Sequence, residues 1–242
     1  MDIKQSNLID TTFNVYSDAT GPDPDSSSPT LKKYHKLLWN KSLPNGKVFT
    51  LGDETTETYL SFRSVERVIN LSSDSISNSY RDKKKLSEIL KDLSAEVEDF
   101  RNIGSTIGGY ILFPSKKIDG KMTINGARGF NDKIADRFDL TLECIRLHYM
   151  NKENPLNEVL TQNASFFELF GSFTGYVDFF LLQDLVTDNY ESIKFFTKFE
   201  QLFTASPLPE SKDEYLQYMK GSTSFTAKRN ERIKQWAHLN LA

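Results

Sequence analysis

A chain of 242 residues with 30 Lys and Arg against 33 Asp and Glu carries a formal net charge of -3, and 38% hydrophobic and 12% aromatic residues, 18 of them Phe, suffice to fill an interior. These values exclude a disordered chain, a collagen, a coiled coil and a membrane bundle, while 26% charged residues predict a well-solvated exterior. At roughly 100–200 residues per domain the length fits one large domain or two small ones, neither needing a metal or disulfide staple.

In chain order, residues 1–10 lack the roughly 7–15 apolar residues of a signal peptide, which with the single cysteine, Cys144, predicts a reducing, cytoplasmic setting. Residues 12–16 alternate like a short strand, and residues 17–29 are rich in Pro, Asp and Ser and read as a loop. Leu31, Tyr34, Leu37 and Leu38 predict a short helix ending near Trp39, with His35 beside its stripe. Residues 48–51 and 59–62 read as the strands of a hairpin, joined by an acidic, threonine-rich connection. A serine-rich stretch, 71–79, and a lysine-rich run, 81–85, precede one helical stripe made by Leu86, Ile89, Leu90, Leu93, Val97 and Phe100.

Residues 106–114 predict a buried strand followed by a turn at 118–121. Helices are expected over 131–150, 155–160, 165–170 and 176–186, a short element near 193–203, and a last helix over 213–240 with a break at Gly221. The apolar run 177–182 falls short of the ~18–20 residues of a spanning helix and contains Asp178, so no membrane partner is expected. With no repeat and no linker, the expectation is a single α+β domain over 1–242. A small β-rich N-terminal part (11–122) packs on a mainly helical C-terminal half (123–240).

The segment richest in chemistry is 123–149, where Gly126 and Gly129 flank Arg128 just before the helix expected from Asn131. Free N–H groups at a helix start, with Arg128, Asn131 and Arg137, suit a phosphate or carboxylate, because dipole and guanidinium both favour an anion. Asp139, Glu143 and His148 on the same helix then serve for proton transfer. The competing reading makes these residues a loop brace and ordinary helix ion pairs, worth about 0.2–0.5 kcal/mol each. Neither a P-loop nor a dinucleotide fingerprint is present, so the cofactor stays unassigned.

Asp18, Asp23 and Asp25 form an acidic loop that either ligates a hard cation or closes local turns, and its spacing is not that of an EF-hand. His35 among Lys32, Lys33, Lys36 and Trp39, and Arg229 within the basic run 228–234, offer nucleotide or nucleic-acid contacts or plain solvated helix faces. Histidines 35, 148 and 238 are too scattered to predict a metal site, and Cys144 reads as a buried thiol.

The stretch from Asp18 to Leu38, with Asp23-Pro24-Asp25-Ser26, Ser28-Pro29-Thr30-Leu31 and Tyr34-His35, resembles a bacterial family of proteins of unknown function. So do residues 104–111, 136–146, 175–186 and 229–233. The resemblance implies one domain of bacterial or phage cytoplasmic origin and supplies no reaction and no catalytic residues. Two functional readings stand: an enzyme or binding protein for an anionic, nucleotide-like ligand held by Arg128, Asn131, Arg137, Asp18, Asp25, His35 and Arg229, or a nucleic-acid or protein interaction module of a bacterial or phage conflict system. An oligomer joined through phenylalanines is a third, structural possibility.

Overall fold

The computed structural model describes residues 9–53, 59–80, 84–91, 93–115, 122–204 and 206–241. The connection at 54–58, the run 81–83 and the turn at 118–121 lie outside them.

Among the described residues four antiparallel strands stand in chain order: β1 (Leu51–Gly52), β2 (Leu60–Arg63), β3 (Val68–Ser75) and β4 (Tyr110–Pro114). The expected hairpin is the β1–β2 pair, Leu51 opposite Phe62, although of residues 48–51 only Leu51 joins the sheet. β3 is a correction. Serines and Asp74 mark a connection by propensity, yet the segment is the sheet's longest strand, because β2 pairs along one edge (Leu60 with Leu71) and the wholly buried β4 along the other (Asp74 with Ile111).

The described residues also form the helices α1 (Pro24–Ser27), α2 (Pro29–Trp39), α3 (Ser87–Lys91), α4 (Ser94–Gly104), α5 (Ile124–Phe130), α6 (Phe138–Tyr149), α7 (Asn157–Gln162), α8 (Ala164–Phe167), α9 (Phe173–Phe179) and α10 (Lys212–Asn240). α2 ends at Trp39, as predicted, and begins at Pro29, since Ser28 Oγ accepts the Leu31 N–H at 3.1 Å and Pro29 needs no N–H partner in the first turn. Its buried face is Leu31, Tyr34, His35, Leu38 and Trp39.

Several boundaries move for physical reasons. Residues 12–16 form no strand; Asn14 accepts the Tyr16 N–H and closes a 3-10 turn, Val15–Ser17. The stripe from Leu86 to Phe100 is split between α3 and α4. The helix expected over 131–150 starts only at Phe138, and the glycine-flanked arginine lies inside α5, which Thr123 caps through the Gly126 N–H at 3.1 Å. Between them the chain reverses through Ala135 and Asp136, at φ 46 and 60.

Residues 107–109 are a 3-10 turn rather than strand, as the closeness of α10 requires: a Cβ on Gly108 would lie 2.7 Å from the Thr226 carbonyl oxygen. No helix forms over 193–203, where Ile193 instead bridges Val186. α10 runs unbroken through Gly221, whose missing side chain admits Phe196.

A continuous core from Ile9 to Ile233 joins sheet and helices, which makes this a single α+β domain. Its densest part is aromatic, with Trp39, Phe49, Phe170, Tyr176, Phe179 and Phe180 in mutual ring contact at 5.0–6.2 Å. No helix among the described residues is long and apolar enough to cross a membrane.

Candidate functional site

Alternation along β3 sends successive residues to opposite faces. Asp74 points inward against Arg128, while Ser75 faces a cleft of roughly 220 Å3 bounded by α1, α4 and the chain beyond β3. Asp23, just before α1, and Asp25 within it line one side of this cleft, Ser77, Asn78 and Ser79 continue the wall begun by Ser75, and Arg101 of α4 stands exposed at the rim. Tyr16, Phe100, Ser105 and Tyr110 add to the lining, with Pro24 and Gly104.

The Asp25 carboxyl is half-buried and hydrogen-bonded to that of Asp23. Burial raises its pKa first, then that hydrogen bond and the charges of Asp23 and Asp74, together to about 8. Tyr110 is buried and rises as well, its phenol staying neutral. The cleft thus presents the Asp25 carboxyl, its pKa raised, beside the exposed Asp23, among hydroxyl and amide groups.

Behind the cleft wall, on the other face of β3, is a buried ionic network. Arg128, wholly inaccessible, pairs with Asp74, lies 3.2 Å from Asp136 and donates to Thr141 Oγ1 at 2.9 Å. Burial pushes the Asp74 carboxyl up, to about 6, against the pull of Arg128. Asn78 Nδ2 donates to Asp136 Oδ2 at 2.7 Å, joining this network to the cleft wall. α10 fixes the same wall, with Tyr218 donating to the Asn78 carbonyl at 2.9 Å and Tyr215 to that of Ser79. Tyr80, at φ 53, donates to the Ala135 carbonyl at 2.7 Å, so three non-glycine residues of positive φ meet beneath the cleft. Left-handed backbone at such residues costs about 1–3 kcal/mol each, and such strain gathers at functional sites.

Of the candidate residues singled out from sequence, Asp23 and Asp25 reach this cleft and the others do not. Asp18 turns the other way, accepting the Ser28 hydroxyl at 2.5 Å and the Thr30 N–H at 3.0 Å, so the three aspartates of the loop do not converge. Among the described residues no three His, Cys, Asp or Glu are grouped to hold a metal ion. Arg137 grips Asp139 through Nε and Nη2, at 3.0 and 2.5 Å, and Asp139 also accepts the Phe196 N–H at 2.9 Å. Glu143 is bidentate with Arg146 at 2.7 and 2.8 Å. His148, half-buried, packs on Phe167 with its pKa lowered by burial. Asn131 ends α5 instead of opening a helix and donates to the Pro155 carbonyl at 3.0 Å.

His35 is buried against Tyr59, its pKa lowered by burial and by Arg229 to about 3. Arg229 is also buried. Lys32 and Lys36 both engage Asp53, and Arg232 engages Asp184 at 2.9 Å, which dilutes both basic patches.

The wall residues escaped sequence reasoning because serines and Asn mark turns. The available signal was Ser73, Ser75, Ser77 and Ser79 at every second position, a polar face on an extended segment. In comparison with known proteins, one family model, described as a family of unknown function, matches residues 9–233. No curated protein and no solved structure matches the chain.

Proposed function

We propose, from the premise that this chain belongs to the family of unknown function DUF6994, that its cleft binds a small hydroxylated molecule and that Asp25 acts there as a general acid. What supports this reading is the Asp25 carboxyl, half-buried beside Asp23 at the edge of a cleft that serine hydroxyls and the Asn78 amide help to line, with its pKa raised. Burial and a neighbouring carboxyl that raise the pKa of an acid suit it to proton donation near neutral pH. The serine hydroxyls and the Asn78 amide both donate and accept, which matches sugar-like hydroxyl groups.

An anionic ligand held by Arg128, Arg137 or Arg229 finds those guanidiniums buried and engaged with protein groups. Arg101 at the rim is the cation a phosphate would meet, so a nucleotide-like ligand fits sugar-first, with its phosphate outward.

Thermal-shift and calorimetric titration of sugars, polyols, nucleosides and nucleotides tests the proposal. Hydroxylated ligands are expected to stabilise the protein, and Arg101→Ala to weaken phosphorylated members about tenfold relative to unphosphorylated ones, the loss of one charge-assisted contact. Asp25→Asn is expected to retain binding and lose turnover. Failure of the whole panel to bind would remove the proposal.

A further inference from the structure

We propose that the interior between α2, α9 and α10 binds a small monovalent anion of the halide type beside Arg229. This guanidinium has no carboxylate in ion-pair reach among the described residues. Nη1 donates to the carbonyls of Gly108 and Tyr110 at 2.9 and 2.7 Å, and Nε and Nη2 both donate to that of Phe180 at 3.2 and 3.1 Å. One of the five guanidinium N–H groups remains unused. Burial pulls the Arg229 pKa down, to about 9, as expected of a charge that backbone dipoles alone compensate.

Three further buried polar atoms near it have no protein partner: Trp39 Nε1, His35 Nε2 and the Tyr176 hydroxyl. The Arg229 guanidinium carbon lies 5.9 Å from the Trp39 ring centre, and its charge acts on both His35 and Tyr176. His35 precedes Trp39 by one helical turn on α2. Trp39 and Tyr176 both pack on Phe180, at 5.2 and 5.0 Å, the residue whose carbonyl takes two Arg229 bonds.

Tyr59 and His35 Nδ1 are 3.2 Å apart; with the phenol donating, the imidazole proton sits on Nε2 and all three orphan groups are donors. A second cation adds to the field: the Lys41 ammonium lies 4.6–5.0 Å from the ring centres of Phe179, Trp39 and Trp236, and its pKa is lowered by burial and by Arg229 to about 7. Asp178, the acid that acts on Lys41, accepts from Gln183 at 2.9 Å and from Tyr190 at 2.7 Å. Buried donors close to a positive charge that has no carboxylate partner suit an anion, and a monoatomic one demands the least space among packed rings.

The probe is bromide. Melting in sodium bromide or chloride, against sodium gluconate at equal ionic strength, is expected to show a saturable rise in Tm with halide, as a ligand of the folded state produces. Tyr176→Phe removes one donor with little change of shape and is expected to weaken the halide dependence about tenfold. A crystal grown in bromide is expected to show an anomalous peak within reach of Arg229, a readout that stands even where the variant fails to fold. Equal Tm in all three salts, an undiminished halide effect in Tyr176→Phe, or an ordered water beside Arg229 with the bromide peak elsewhere would each overturn the proposal.

Discussion

Asp18 and Asp25 share one acidic loop and do opposite work. Asp18 is held by a hydroxyl and an N–H, which lowers its pKa, whereas Asp25 keeps its proton beside Asp23. The sign of the resulting pH dependence follows from linkage. Between the unfolded value near 3.9 and the folded value of about 8, folded Asp25 holds a proton that the unfolded chain has released, so its contribution to stability falls as pH rises through that window. Asp25→Asn is therefore expected to match wild type in Tm near pH 4 and exceed it at pH 8.5; parallel Tm curves would contradict the assignment. The variant-to-wild-type difference isolates this group from Asp74, which shares the sign, and from His35, whose lowered pKa acts oppositely below pH 6.5. Sequence could place Asp25 in an acidic loop, but Arg128 attracted notice for the wrong geometry. Its partner Asp74 lies 54 positions away, and no local pattern announces that pair.

At the scale of elements, legibility followed apolar periodicity and failed where tertiary partners overrode it. α2 was readable because cap, proline and stripe agree. Its cap is also shared: Ser28 Oγ accepts the Leu31 N–H while its proton goes to Asp18. Ser28→Ala is expected to cost about 1–2 kcal/mol in urea unfolding. Ser28→Asp, a good cap elsewhere, is not expected to rescue it, because a second carboxylate would face Asp18; full stability of that variant would contradict the shared-cap geometry. The turn between α5 and α6 was unreadable for the converse reason. Ile134 and Phe138 keep helical spacing, yet the Asp136 side chain is claimed by Arg128 and Asn78, and the backbone bends to deliver it. β3 was lost to the turn preferences of serine, and with it the cleft wall.

For the whole molecule, the continuous core predicts that the β-rich and helical parts do not melt separately. Calorimetry is expected to show one transition with matching calorimetric and van't Hoff enthalpies; two resolved transitions would show that the shared core does not couple them. The coupling is concentrated where α10 meets the turn before β4. Asn230 accepts the Gly108 N–H at 2.8 Å and donates to Thr106 at 2.7 Å, and Arg229 holds the Gly108 and Tyr110 carbonyls, each contact spanning 119–124 positions. On the ribosome that span is a delay. At ~5–20 residues per second, α10 emerges on the order of ten seconds after the strand it secures. For that interval the Gly108 N–H and the Gly108 and Tyr110 carbonyls are without the side chains that satisfy them in the finished fold.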